Sequence, residues 1–204
     1  MIRTAIAYTL MRISGICAAD TLPVTANAMF TFNGQEIVIS RASSVDQTTL
    51  NALASVSNTC SAPCLSPMIV ADGVTTLGEM EVIEFLSSTV QNGDGLLIDA
   101  RLPEHRALGL IPASVNIPAA TLASANPFRD EILMALGAEK FQGIFNFTDM
   151  MTLVVFDGGP ATSDAQTLIT DLIAAGYPAD KISYYRGGMQ VWAMLGLSTT
   201  TPAQ

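Results

Sequence analysis

The stretch TLVVFDGGPATSDAQTLI, residues 152 to 169, runs from a buried apolar segment through a Gly-Gly-Pro turn into a helical one. The helix is expected to begin near Thr162 or Ser163. A strand–loop–helix passage of this kind gathers backbone N–H groups where the helix starts, a place suited to an anion or a reacting group. Asp157 heads the loop, followed by Gly158, Gly159, Pro160, Ala161, Thr162 and Ser163. Its carboxylate has two readings. As a plug, it satisfies the converging donors permanently, with Gly158 and Gly159 allowing close backbone approach and Thr162 or Ser163 capping the helix. As a catalyst, it serves as general base or as a nucleophile that forms an acyl phosphate. That reaction wants magnesium ligands or basic residues around a phosphate, and the loop offers neither. Asp164 fits a helix start as a favourable charge against the dipole.

Two further groups could do chemistry. Cys60 and Cys64 stand four residues apart in CSAPC. They are read either as a structural disulfide or as a redox or sulfur-relay pair in which one thiol attacks and the other resolves. The segment SNTCSAPCLSP carries no Lys or Arg to lower a thiol pKa, which favours the structural reading. Asp99 and Arg101 lie at the end of another apolar run, where ligands meet parallel sheets. The single histidine, His105, has no partner nearby in sequence and is expected exposed on a short helix. With one histidine and so few cysteines, no metal site and no cofactor are expected.

The elements that must position these residues alternate. MFTFNGQEIVIS reads as a hairpin, its Asn33-Gly34 supplying the positive φ angles of a two-residue turn. Residues 41 to 58 read as a loop or a weak short helix. Thr76-Leu77-Gly78-Glu79 fits a capping box, and the helix after it carries Met80, Ile83, Leu86 and Val90 at helical spacing. Strands follow at 95–99, 114–116, 152–156 and 181–185, and helices at 103–108, 127–136, 163–175 and 189–195. Short strands alternating with helices predict a three-layer α/β domain with a central parallel sheet. Met80, Met134, Met189, Met194 and Trp192 fall on apolar stripes and are expected in the core.

Composition narrows the partners. The 204 residues are 50% hydrophobic and carry a formal net charge of −9, which argues against nucleic acid and anionic membranes. No run reaches the roughly 18 apolar residues of a membrane span. Residues 1–19, MIRTAIAYTLMRISGICAA, resemble a secretory signal, so a periplasmic or secreted protein is expected. The alternative is an amphipathic N-terminal helix of a cytosolic protein. Residues 20–72 then form an N-terminal appendage, and 73–204 the main domain.

Three stretches together resemble a rhodanese-like sulfurtransferase domain: LLIDARLPEHRALGLIPASVNIP (96–118), VVFDGGPATS (154–163) and YYRGGMQVWAMLGL (184–197). The appendage, with CSAPCLSPM, is similar to the front part of an exported subgroup. The resemblance implies a loop in which a cysteine thiolate takes a sulfane sulfur and passes it on. At that cysteine's position stands Asp157, and Thr162 takes the place of a common loop arginine and of the subgroup's second cysteine. No cysteine follows Cys64. The family pattern puts Arg186 on the rim of the loop pocket, able to pair with Asp157 or hold a small anion. Otherwise Arg186 is a surface residue stacked beside Tyr184 or Tyr185. Arg186, Asp99 and Arg101 are thus the candidate binding residues, and Asp99 and Arg101 are expected first of all to hold loops. The resemblance implies either a catalytically degenerate domain that binds a protein or a small anion, or a sulfurtransferase or thiol-redox protein working through Cys60 and Cys64.

Overall fold

A computed structural model describes residues 27–42, 45–55 and 65–202. The expected leader at 1–19 and both Cys60 and Cys64 lie outside the described residues. The centre is a five-stranded, all-parallel sheet in the order β3-β9-β8-β4-β5. Its strands are β3 (Thr75–Leu77), β4 (Gly95–Asp99), β5 (Ser114–Asn116), β8 (Thr152–Phe156) and β9 (Ile182–Tyr185). Both faces are covered, so the central strands read as continuous apolar runs whose alternate residues serve opposite layers. Leu97, Val154, Phe156 and Tyr185 face one core. Ile98, Leu153, Val155, Ile182 and Tyr184 face the other.

Helices α2 (Glu79–Phe85) and α6 (Gly188–Met194) cover the first face, together with α1 (Gln47–Ser55), which packs on α6. The last turns of α2 widen into a π-helical segment, Leu86–Val90, so that Val82, Ile83, Leu86 and Val90 all reach the core. Helices α4 (Arg129–Ala135) and α5 (Asp164–Ala174) cover the second face, and the short α3 (Pro103–Arg106) lies in the β4–β5 connection. The hairpin β1 (Ala28–Phe32) and β2 (Gln35–Ile39) turns at Asn33-Gly34, with φ of 48° and 76°. Phe30 and Ile39 bury in the same cluster as Trp192, and Ser198 N–H donates to the Ser40 carbonyl at 2.9 Å. The appendage is thereby packed into the first core.

Several expectations are corrected. Thr75–Leu77 is an edge strand paired with Ser183–Tyr185, so Thr76 does not cap a helix. The helix starts at Glu79 behind Gly78, whose N–H donates to the Glu81 carboxylate at 3.0 Å. Pairing with β9 thus overrides a local capping signal. Met134 and Met194 are 45% and 57% exposed, so they belong to the surface and not the core. A second hairpin, β6 (Glu139–Phe141) and β7 (Ile144–Asn146), was not anticipated; its turn residues Gln142 and Gly143 take φ of 50° and 83°. No described helix is long and apolar enough to cross a membrane.

Because Phe30 is 3% exposed and sits among residues of the sheet's first face, Phe30→Ala is expected to cost the whole domain about 3 kcal/mol. Chemical denaturation followed at Trp192 measures this. A loss confined to the hairpin, with the Trp192 transition unmoved, would contradict a shared core.

Candidate active-site loop

The loop leaves β8 at Asp157 and ends at α5. Asp157 is fully buried, and both carboxylate oxygens accept backbone hydrogen bonds. Oδ1 accepts from Gly159 N–H at 3.0 Å, and Oδ2 accepts from Ala165 N–H at 2.9 Å. Ala165 is the second residue of α5, so the carboxylate satisfies one of the free donors of the helix start. The expected caps do not form: neither Thr162 nor Ser163 bonds the helix through its side chain. The Thr162 hydroxyl instead turns back, donating to Gly159 O at 2.8 Å and receiving Gly159 N–H at 3.1 Å. The Ser163 backbone lies outside the usual cap conformation, at φ −128° and ψ 6°, which leaves the donor to Asp157.

The other wall of the loop is the start of α6. Met189 N–H donates to Asp157 O at 2.9 Å, and Gln190 N–H to Gly158 O at 3.0 Å. This approach requires Gly188. Its φ is +57°, and a Cβ there would lie 2.6 Å from both Asp157 O and Gly159 N, with no flexible side chain to yield.

Electrostatically, Asp157 is uncomfortable. Among the described ion pairs, none involves it. Burial pushes its carboxyl up to about 6; the Thr162 hydroxyl and the amides of Ala165 and Gly159 hold it back, and the charge of Asp164 adds to the rise. Asp164 is itself raised, by burial first, and feels the charge of His105. His105 is therefore half-buried and near α5, and not the isolated exposed residue that its sequence neighbourhood suggested.

Asp99 and Arg101 hold each other. Arg101 Nε donates to Asp99 Oδ1 at 2.9 Å and Nη2 to Oδ2 at 2.7 Å, with the two residues 2% and 0% exposed. Arg106 Nη1 adds a bond to Oδ2 at 3.1 Å and reaches the Ser114 hydroxyl at 2.9 Å. Arg101 also donates to the carbonyls of His105 and Gly109. Asn116 donates to the carbonyls of Asp99 and Arg101. Every charge is paired, and the network ties the β4–β5 connection to the sheet edge. Arg106 is the member that sequence reasoning missed, although its place in PEHR, seven residues after Asp99, puts a second cation within reach.

Arg186 forms none of the described ion pairs and lies close enough to Tyr184 for its charge to act on the phenol. Its Nε donates to the carbonyl of Ser66 at 2.8 Å. Ser66 is 4% exposed, its N–H donates to Pro160 O at 2.7 Å, and its hydroxyl donates to Thr162 O. Ser66 thus bridges the loop and the β9–α6 turn, and nothing in its residue type signalled this; only its place after Cys64 drew attention to the segment. Beneath it lies the Tyr184 hydroxyl, fully buried and without a hydrogen-bond partner among the described residues. Burial, and then the nearby charge of Asp157, pushes this phenol up to about 12.

Comparison with known families bears on this arrangement: the model of the rhodanese-like domain matches residues 83–195, spanning β4, the loop and α6. The chain belongs to the rhodanese-like domain family. Solved structures similar to it include the human single-domain sulfurtransferase TSTD1, at 27% identity, a TM-score of 0.41, and coverage of 58% of this chain and 95% of that one. A thiosulfate sulfurtransferase from Pseudomonas aeruginosa is 19% identical, with a TM-score of 0.44 over 64% of this chain and 21% of that chain. RPA3614, a protein of unknown function and possible tyrosine phosphatase from Rhodopseudomonas palustris, is 16% identical, with a TM-score of 0.43 over 80% and 96%. No curated protein sequence matches the chain. Among the described residues of this rhodanese-like domain, no three His, Cys, Asp or Glu side chains cluster as metal ligands.

The raised Asp157 acid fixes a pH dependence. Its folded value, about 6, exceeds the ordinary aspartate value of 3.8. The folded chain then binds more protons than the unfolded one between those pH values. The associated stability is fully present below about pH 4 and is lost as pH rises through 6, on the order of 3 kcal/mol in all. Asp157→Asn is expected to remove this component, and urea midpoints at pH 4.5 and 7.5 measure it. An unchanged difference between the two midpoints in the variant would assign the dependence to other groups.

Proposed function

We propose that this rhodanese-like domain no longer transfers sulfur at its loop and acts by binding a protein or a small anion. The observation that supports this reading is the occupancy of the loop by Asp157, whose two oxygens take the Gly159 and Ala165 amides. Sulfur transfer needs a polarisable thiolate that attacks the sulfane sulfur and carries it as a persulfide. A carboxylate cannot hold such a sulfur, and at neutral pH its own charge already fills the donors that would stabilise an incoming anion. On this reading Asp157 stands where the family's cysteine does. The leader-like residues 1–19 and the pair Cys60 and Cys64 fit export to the periplasm or beyond, with the pair oxidised.

A second reading keeps an enzyme, a sulfurtransferase or thiol-redox protein working through Cys60 and Cys64. It is favoured by one contact: Ser66, two residues after Cys64 in the chain, is bonded to the loop carbonyls of Pro160 and Thr162. The described chain therefore meets the loop two residues after Cys64 in sequence.

Intact mass, taken without reductant before and after exposure to thiosulfate, separates the two. The degenerate domain keeps its mass. The relay gains one sulfur atom, as a cysteine thiolate takes the sulfane sulfur and sulfite leaves, and Cys60→Ser or Cys64→Ser abolishes the gain while Asp157→Ala preserves it. Asp157→Cys is expected to acquire a sulfur at the loop, because the amides of Gly159 and Ala165 remain to receive the thiolate. An Asp157→Cys protein that folds but stays inert would mean that the loop differs from a working one by more than its first residue.

A further inference from the structure

The segment Leu65–Ile69 crosses above the loop, and its burial is lopsided. Leu65, Met68 and Ile69 are 73%, 60% and 71% exposed, while Ser66 is 4% exposed. Ser66 carries the attachment to the loop, and at the far end the Met68 carbonyl accepts from the Thr76 hydroxyl of the edge strand β3. The Ser66 N–H reaches Pro160 O, its hydroxyl reaches Thr162 O, and its carbonyl receives Arg186 Nε. Those partners stand on opposite walls of the crevice at the C-terminal edge of the sheet. Pro160 and Thr162 belong to the loop before α5, and Arg186 to the turn before α6. The chain re-enters the second core only at Val70 and Ala71. Between Leu65 and Ile69 no apolar side chain is buried to hold the segment down, and such segments occupy the low-stability end of a fold.

What the segment covers is polar. Asp157 and Thr162 are 0% and 3% exposed, and the Tyr184 hydroxyl is fully buried with no partner among the described residues. Tyr184 pairs in register with Val155, two residues before Asp157, so the phenol and the carboxylate project from the same face of adjacent strands. A buried hydroxyl left unpaired raises the free energy of the closed form, since opening would let it bond to water or to a ligand.

We propose that Leu65–Ile69 is a strap that opens as a local unit, with Ser66 as its latch and Arg186 as the catch on the far wall, uncovering Tyr184 and Asp157 without unfolding the sheet. The device goes beyond the binding role argued above and stands whichever ligand or reaction the crevice serves. Pro67 stiffens the segment, so the movement falls on the residues between Met68 and Val70. Closed, the strap denies the crevice to solvent. Open, it presents a phenol donor, a carboxyl group and the Arg186 guanidinium on one rim.

Amide exchange on the full chain tests the strap, with hydroxyl-radical labelling of Tyr184 as a second readout and Tyr185 as internal control. Tyr185 is equally buried, but its hydroxyl donates to Glu79 at 3.1 Å, away from the strap. In the native protein the Ser66 amide is expected to exchange faster than the amides of Leu153–Phe156. Ser66→Ala and Arg186→Gln each speed exchange at residue 66 by about fivefold, the worth of one hydrogen bond. Labelling of Tyr184 rises with them, and Tyr185 stays protected. Equal protection of residue 66 and β8 in the native protein would overturn the proposal, because the segment would then open only when the domain unfolds. Faster exchange at residue 66 with Tyr184 still as protected as Tyr185 would overturn it too, because the movement would uncover nothing.

Discussion

A buried carboxylate bonded to two backbone amides, with no cation paired to it among the described residues, is the constraint around which this domain is arranged. Asp157 joins the end of β8 to the first turn of α5 through Ala165 N–H, and to the loop through Gly159 N–H. Its carbonyl receives Met189 N–H from α6. One residue therefore fixes two helices on opposite faces of the sheet relative to the strand between them. The close approach of α6 needs the absence of a side chain at Gly188. The loop that holds the carboxylate is closed by Thr162, which turns back onto Gly159, and by Ser66, which bonds the carbonyls of Pro160 and Thr162.

The sheet edge contains a second buried acid, and the contrast shows what each is for. Asp99 is engaged by Arg101 and Arg106 on its carboxylate; Arg101 goes on to bond the carbonyl of Gly109 in the β4–β5 connection, and Arg106 that of Ser114 at the start of β5. Removing one partner of such a network leaves a buried charge uncompensated, at a cost of about 3 kcal/mol or more. Asp99 and Arg101 thus hold a loop, and the guanidinium of Arg101 is committed to that task. Asp157 has only neutral donors. The amides and the Thr162 hydroxyl do not offset its desolvation, and its acid rises as a result. A buried group poised in this way is where pH acts on a fold.

Much of the architecture was legible because local signals and tertiary demands agree there. The apolar run Thr152–Phe156, the Asn33-Gly34 turn and the order of strands and helices each carry a strong local pattern. Failures came where a distant partner decides. Thr76 looks like a cap, but its backbone pairs with Tyr184, more than a hundred residues away. Met134 and Met194 sit on stripes that are apolar in sequence, yet both side chains end at the surface once the helices have docked. At the site, Asp157 was legible from its loop, whereas its role as the cap of α5 was not, because a side chain eight positions upstream replaced the local candidates Thr162 and Ser163. Ser66 and the Arg186 contact were illegible for a simpler reason: they involve backbone carbonyls, which carry no residue signature.

The same amides that would favour a reactive anion are a liability when nothing occupies them. Buried donors without acceptors cost free energy, and a helix start carries several of them. A carboxylate at the head of the loop removes that liability by accepting from Gly159 and Ala165. On the reading proposed here, loss of the reaction and reinforcement of the fold at low pH follow from one residue. The raised acid means that the reinforcement weakens as pH increases through 6. At neutral pH the domain then carries an ionised, imperfectly compensated group beside the segment that Ser66 anchors to the loop. That combination sets an exposed, lightly anchored segment against the polar loop, and a binding role at this edge would draw on both.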